Sequence, residues 1–251
     1  MTKPDGLLGQ MIWLFNNNLS LFWYGIKITL LLAVVGTLIG LVIGLLLGGM
    51  RAIRIEPRDS AVMKLLKRIM HGIAGFYVWV FRGTPMMVQA VIIYRGLRPI
   101  IGWTPTIAGI AIISINTGAY MAEIMRAGIQ SVDSGQSEAA RSLGMTSTQT
   151  MLNIVLPQAL RNSFPSIGNE FIVNIKDSSM LNVIGVIELY FQTSSVAGSV
   201  MMFEPTFMIA ALIYLLLTTI ASWLLRFIER RMNMQKTSFP ASTTLPEKGS
   251  L

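Results

Sequence analysis

The stretch "ITLLLAVVGTLIGLVIGLLLGGM", Ile28 to Met50, contains no charged residue. A helix of that length is about 34 Å long at about 1.5 Å per residue, enough to cross a hydrocarbon layer of about 30 Å. A run this long in one chain commits the fold to a membrane. The rest of the sequence agrees: 53% of residues are hydrophobic and 13% charged, roughly half the charged share of an ordinary soluble domain.

Five candidate spans follow from the hydropathy, at about 22–50, 65–98, 105–132, 158–187 and 205–228. The fold class is therefore an all-α integral membrane protein with about five transmembrane helices. The second span carries "FRGTPMMVQ", where Thr84 can cap and Pro85 can open the first turn of a new helix, so two helical pieces are expected there. Residues 1–21 read as an extracytoplasmic or interfacial segment with Trp13 and Trp23 as belt residues, and no cleavable signal peptide is evident. The membrane domain spans 22–232, and 233–251 reads as a disordered cytoplasmic tail.

The net charge of +8 does not point to nucleic acid, because the basic residues flank the spans instead of forming one patch with interleaved aromatics. With the first loop placed in the cytoplasm, that side collects Arg51, Arg54, Arg58, Lys64, Lys67, Arg68, Arg126, Arg141, Arg161, Arg226, Arg230, Arg231, Lys236 and Lys248. Those are fourteen of the 20 basic residues, so the bias puts the N-terminus outside and the C-terminus inside. The absence of cysteine and the single histidine, His71, remove thiolate and multi-His metal sites and disfavour a Ser/His catalytic site. No metal site, no catalytic residue and no cofactor are expected in this chain.

Between spans three and four lies a polar insert, about 133–157, including "SEAARSLGMTSTQTMLNIVLP" from Ser137 to Pro157. Glu138, Ala139, Ala140 and Arg141 favour a helix with Glu138 near its start, and Gly144 suits a left-handed C-terminal cap. "TSTQ", Thr146 to Gln149, fits a capping box for a second short helix, ending at or redirected by Pro157. The product is a compact helical knob shaped for a groove on another protein; a loop folded back onto the membrane is the plainer alternative.

The spacing E-A-A, three residues, G, nine residues, I-x-L-P is met at Glu138, Ala139, Ala140, Gly144, Ile154, Leu156 and Pro157. With "FRGTPMMVQ", "AYMAEIMRAGIQSV", "LPQALRNSFPSIGNEFI" and "IKDSSMLNVIGV" in order, the chain resembles the ABC-importer permeases of the polar amino acid subfamily, which takes in histidine, glutamine, glutamate, arginine and opine permeases. The resemblance implies a type I ABC importer permease fold in the bacterial cytoplasmic membrane. It implies that the seven motif residues couple the chain to a cytoplasmic ATP-binding subunit, present in two copies, which binds ATP-Mg. It also implies a second permease copy or paralogue, an extracytoplasmic solute-binding protein and an amino acid substrate. No phosphate loop of the G-x-x-x-x-G-K-S/T type occurs in the chain itself.

Polar groups at membrane depth mark candidate pathway residues. Asn162, Ser166, Asn169, Glu170, Asn174, Lys176 and Asp177 fall in an arc of about 160° on span four, and Asn116, Tyr120, Glu123, Arg126 and Gln130 in about 120° on span three. Such stripes supply acceptors for an ammonium group and donors for a carboxylate, and Asn116, Tyr120, Glu123, Asn169 and Asp177 are the pathway candidates. The alternative is structural: Glu123 with Arg126, and Lys176 with Asp177, as tethers. "RGTP" likewise reads either as a helix break or, with Met86, Met87 and Gln89, as a gate. An intramembrane hydrolase lacks a nucleophile with its base, and a passive scaffold would not need the polar stripes.

Overall fold

The computed structural model describes residues 6–233 apart from 54 and 58, so Arg54, Arg58, the first five residues and the tail call on 233–251 lie outside the described backbone or side chains. All regular structure among the described residues is helical. The long helices are α1 (Leu7–Ala52), α2 (Ala61–Gly83), α3 (Met86–Ile101) and α4 (Pro105–Gln130). The knob is α5 (Ser134–Ser142) and α6 (Ser147–Thr150), followed by α7 (Leu156–Asp177), α8 (Leu189–Val200) and α9 (Phe203–Asn233). Among the described residues three helices are long and apolar enough to cross a membrane, and up to five spans result if each of two bent pairs counts as one crossing.

The boundary expected at 21–22 is no break in the backbone. α1 starts at Leu7 and passes through it, with its one departure from helical geometry at Asn18. Asn18 donates its side-chain amide to Leu14 O at 3.0 Å, which ties the bend to the preceding turn.

Glycine decides how the bundle closes. A Cβ on Gly36, Gly40, Gly44 or Gly48 of α1 would collide with Ile113, Thr117, Met121 or Met125 of α4 respectively. Bare glycine lets two backbones approach where lipid supplies no hydrophobic drive to bring them together. Both series climb by four residues in the same order, so α1 and α4 run parallel. α7 runs antiparallel to them, since Gly128 meets Ser163 while Thr117 bonds Asn174. α9 reverses once more, with Gly168 of α7 against Leu225 and Ile175 packed with Ala221. The α1–α2 corner, the knob and the C-terminal end of α9 therefore share one side, and the N-terminal end of α1 lies on the other.

A buried amide at the centre of the bundle joins three helices. Asn174 of α7 accepts from Thr117 Oγ1 of α4 at 3.0 Å and donates to Thr37 Oγ1 of α1 at 2.9 Å, all three buried. A buried side-chain amide without partners would be costly at this depth, and here it joins three helices. Outward faces are apolar, with Leu38, Val42 and Leu46 on α1 and Leu212, Leu215 and Leu216 on α9 all exposed.

Candidate functional site

The chain turns through 110° between α2 and α3 at Gly83-Thr84-Pro85. The expected N-terminal cap by Thr84 is not formed. Its hydroxyl instead donates backward to Val80 O at 2.9 Å and closes α2, while Pro85 takes the N-cap position of α3 without a side-chain bond. The carbonyls freed at the break are gathered by Gln89, whose amide nitrogen donates to Phe81 O at 3.0 Å and Thr84 O at 2.9 Å. Asn116 of α4 then donates to Gln89 Oε1 at 3.0 Å and to Phe81 O at 3.3 Å. Two buried amides thus lock the bend to α4.

One turn further along α4, Tyr120 lies beneath Arg82, whose guanidinium carbon is 5.3 Å from the ring centroid. Glu170 of α7 is within electrostatic reach of both Arg82 and Asp177. One guanidinium, one phenol and two carboxylates from three elements therefore form one polar cluster. Of the pathway candidates, Tyr120 and Asp177 belong to it. Asn116 serves the break beside it.

Glu123 lies about one turn beyond Tyr120, toward the end of α4 nearest the knob. It pairs with Arg51 at the end of α1 and with Arg126, whose Nη2 is 2.9 Å away, and Arg126 also donates to Gln130 at 2.8 Å. This is the structural pairing that the i, i+3 spacing allowed. Asn169 lies on the other flank of α7, in a cavity of about 210 Å³ shared with Ser222, Arg226 and Glu229 of α9. The span-four stripe is thus divided: Asn174 points into the bundle, Glu170 and Asp177 are half-buried in the polar cluster, and Asn162, Ser166, Asn169 and Lys176 are exposed.

The knob has the capped geometry its sequence suggested, with two differences. Asp133, not Glu138, opens α5, accepting from Gly135 N at 2.8 Å, so Glu138 sits mid-helix and exposed. Gly144 has φ 85°, and Met145 N reaches back to Ala140 O at 3.1 Å, closing α5 through a left-handed residue. Thr146 and Gln149 form the reciprocal capping box of α6. Pro157 does not end that helix. A π turn over Met151–Val155, with Leu156 N bonded to Met151 O, carries the chain into α7, and Pro157 occupies its first turn. Ala140, Thr150 and Val155 are buried within the knob, Ile154 and Leu156 are half-buried, and Ala139, Gly144 and Pro157 are exposed. Leu143 at the tip is 85% exposed.

Residues 60–234 match the family model described as binding-protein-dependent transport system inner membrane component. The chain belongs to this family. It is accordingly a transport permease, the membrane component of a binding-protein-dependent system and not an enzyme. Among curated relatives, the glutamine transport system permease protein GlnP of Escherichia coli (strain K12) is 37% identical over 213 residues, covering 84% of this chain and 92% of that protein. The arginine transport system permease protein ArtQ of Bacillus subtilis (strain 168) is 34% identical over 214 residues, covering 83% and 90%. A solved structure of an amino acid ABC transporter with histidines superposes with a TM-score of 0.74 at 39% identity, covering 86% of this chain and 96% of that one. The MetNI methionine ABC transporter in an inward-facing conformation gives 0.72 at 22% identity, covering 85% and 97%, which supports the fold alone.

Arg82, Glu170 and Glu188 are absent from the pathway candidates that the sequence suggests. Glu188 is completely buried and ties α8 to α1 and α9. The only local signal for it is a lone acid in the apolar stretch "MLNVIGVIELYF".

Proposed function

We propose that this permease is half of the membrane pathway of a bacterial importer for polar amino acids. A second copy or paralogue supplies the other half, a cytoplasmic ATPase pair binding ATP-Mg supplies the drive, and an extracytoplasmic solute-binding protein delivers the substrate. The relatives named for glutamine and arginine support the substrate class. The chemistry of the Arg82 cluster is compatible with it, because Glu170 and Asp177 suit an ammonium group and Arg82 suits a carboxylate. Tyr120 belongs to the same cluster and Asn116 fixes the bend beside it, while Glu123 and Asn169 would contribute nearer the cytoplasmic end.

The observation that carries the coupling role is the knob itself. It is a self-capped, double-helical projection with an apolar tip, on the side where the described basic residues Arg51, Lys64, Lys67, Arg68, Arg126, Arg141, Arg161, Arg226, Arg230 and Arg231 gather. The positive-inside bias makes that side cytoplasmic and puts the N-terminus outside. The motif residues Glu138, Ala139, Ala140, Gly144, Ile154, Leu156 and Pro157 then form and orient the surface that meets the ATPase. Closure of the ATPases rocks the knobs, and the two permease halves alternate between inward-facing and outward-facing states.

The test is Gly144→Glu, which puts a bulky charge on the turn at φ 85°. Substrate-stimulated ATP turnover and uptake by the reconstituted complex should both fall by about tenfold or more, since a β-carbon is strained there. Full retention of both would show that the knob does not couple.

A further inference from the structure

A carboxylate completely removed from solvent within a membrane bundle calls for a role. Glu188 is 0% exposed and stands at the junction of α7 and α8, just before the first residue of α8. The chain reaches it through a 3₁₀ stretch, Ser178–Ile184, and through Gly185 at φ 82°, and the two helices meet at 57°. Its two oxygens are surrounded by donors. Oε1 accepts from Phe191 N at 2.8 Å; Oε2 accepts from Tyr190 N at 3.0 Å, from the Tyr214 hydroxyl of α9 at 2.8 Å and from Thr29 Oγ1 of α1 at 3.5 Å. Thr29 in turn accepts from Leu189 N at 3.2 Å. Gly25 completes the seat, since a Cβ there would stand 2.7 Å from Leu189 Cα.

This arrangement requires an acceptor-only group with two oxygens. A glutamine has the same shape, but its NH₂ must face either the Phe191 amide or the Tyr190 amide, leaving one backbone donor without a partner. The antiparallel packing puts this junction on the side away from the knob, which the proposed function makes extracytoplasmic. There α8 exposes Tyr190, Ser195, Gly198 and Ser199, followed by Met201 and Phe203.

We propose that Glu188 is a positioning residue of the transport cycle: it fixes α8 to α1 and α9 as the lip of the extracytoplasmic mouth against which the loaded binding protein docks. The carboxylate touches no substrate and acts through the placement of α8. This rests on the importer reading of the previous subsection.

The experiment uses the complete reconstituted importer in nanodiscs, with its binding protein saturated by a mixture of L-glutamine, L-arginine and L-histidine. ATP turnover is measured against binding-protein concentration for the native chain, Glu188→Gln, Tyr214→Phe and Thr29→Val. For Glu188→Gln the half-saturating concentration should rise by about tenfold, the scale of one orphaned buried donor, with the maximal rate kept within about twofold. Tyr214→Phe removes one tether, keeps the α8 cap and should shift the same quantity in the same direction by less; Thr29→Val keeps that cap but also takes the acceptor from Leu189 N, and should shift it in the same direction. If Glu188→Gln fails to assemble, these two variants decide. An unchanged half-saturating concentration in assembled variants, with only their melting temperature lowered, overturns the proposal. If the binding protein does not stimulate even the native complex, the importer reading has failed instead.

Discussion

Gly44→Ala should damage the bundle more than its single added methyl suggests. The added carbon would stand 2.7 Å from Met121 C and 2.9 Å from Ala122 N, both backbone atoms, and closer still to Met121 Cβ. Ordinary carbon contacts lie near about 3.5–4.0 Å, so α1 and α4 must separate by about 1 Å at this level. Overpacking of this kind costs about 1–3 kcal/mol. Separation would also stretch the Thr117–Asn174–Thr37 chain, which has little slack at 3.0 and 2.9 Å. Gly49→Ala is the internal control, because nothing lies within 4 Å of a Cβ there. Both substitutions gain the same intrinsic helix preference, up to about 1 kcal/mol, so the difference between them isolates the packing. Reversible unfolding of the purified permease in mixed micelles should show Gly44→Ala less stable than Gly49→Ala by about 2 kcal/mol. Equal stabilities would refute the close parallel packing of α1 on α4, and with it the relative direction of the helices.

Asn116→Leu leaves Gln89 Oε1 without its donor and should lower stability by about 1–3 kcal/mol, read as a drop in melting temperature, with a mobile label at Gly83 reporting a looser bend. At the α1–α2 corner, Lys67 holds the Asp59 carboxyl below its ordinary value by donating a hydrogen bond at 2.6 Å, with the Glu56 backbone helping. A lowered folded-state value gives stabilisation that is present above the ordinary aspartate range and lost as pH falls through the folded one. Proteolysis at residues 53–60 should therefore increase on acidification below the ordinary aspartate range in the native chain and depend less on pH in Asp59→Asn; an identical pH profile would contradict the tether.

Local chemistry was readable in the chain, and distant chemistry was not. The spans follow from uninterrupted apolar runs such as Ile28–Met50. The knob follows from groups within a few residues of each other: Thr146 with Gln149, and Gly144 with the end of α5. The break at Gly83-Thr84-Pro85 was visible, but not its bonding. Thr84 had a carbonyl available four residues behind it, and this back-bond competes with capping the next helix. Asn116 as the clamp on that break depends on partners 27 and 35 residues away. α-Helical angles alone put the fourth span's polar residues on one face and do not say which neighbour covers which part. Packing of α4, α1 and α9 around α7 divides them into buried, half-buried and exposed groups. The π turn ahead of Pro157 is closed locally, by Leu156 N on Met151 O, and carries no signature in the residues, while the Glu188 hub joins residues up to 160 positions apart.

The most direct measurement is uptake into proteoliposomes containing this permease, its permease partner and the ATPase pair, with the binding protein added outside and ATP enclosed. Radiolabelled glutamine, arginine and histidine are offered separately. The account predicts accumulation of at least one of them that requires both ATP and the binding protein and is abolished by Gly144→Glu. Accumulation independent of ATP, or none for any amino acid despite binding-protein-stimulated ATP hydrolysis, would contradict it.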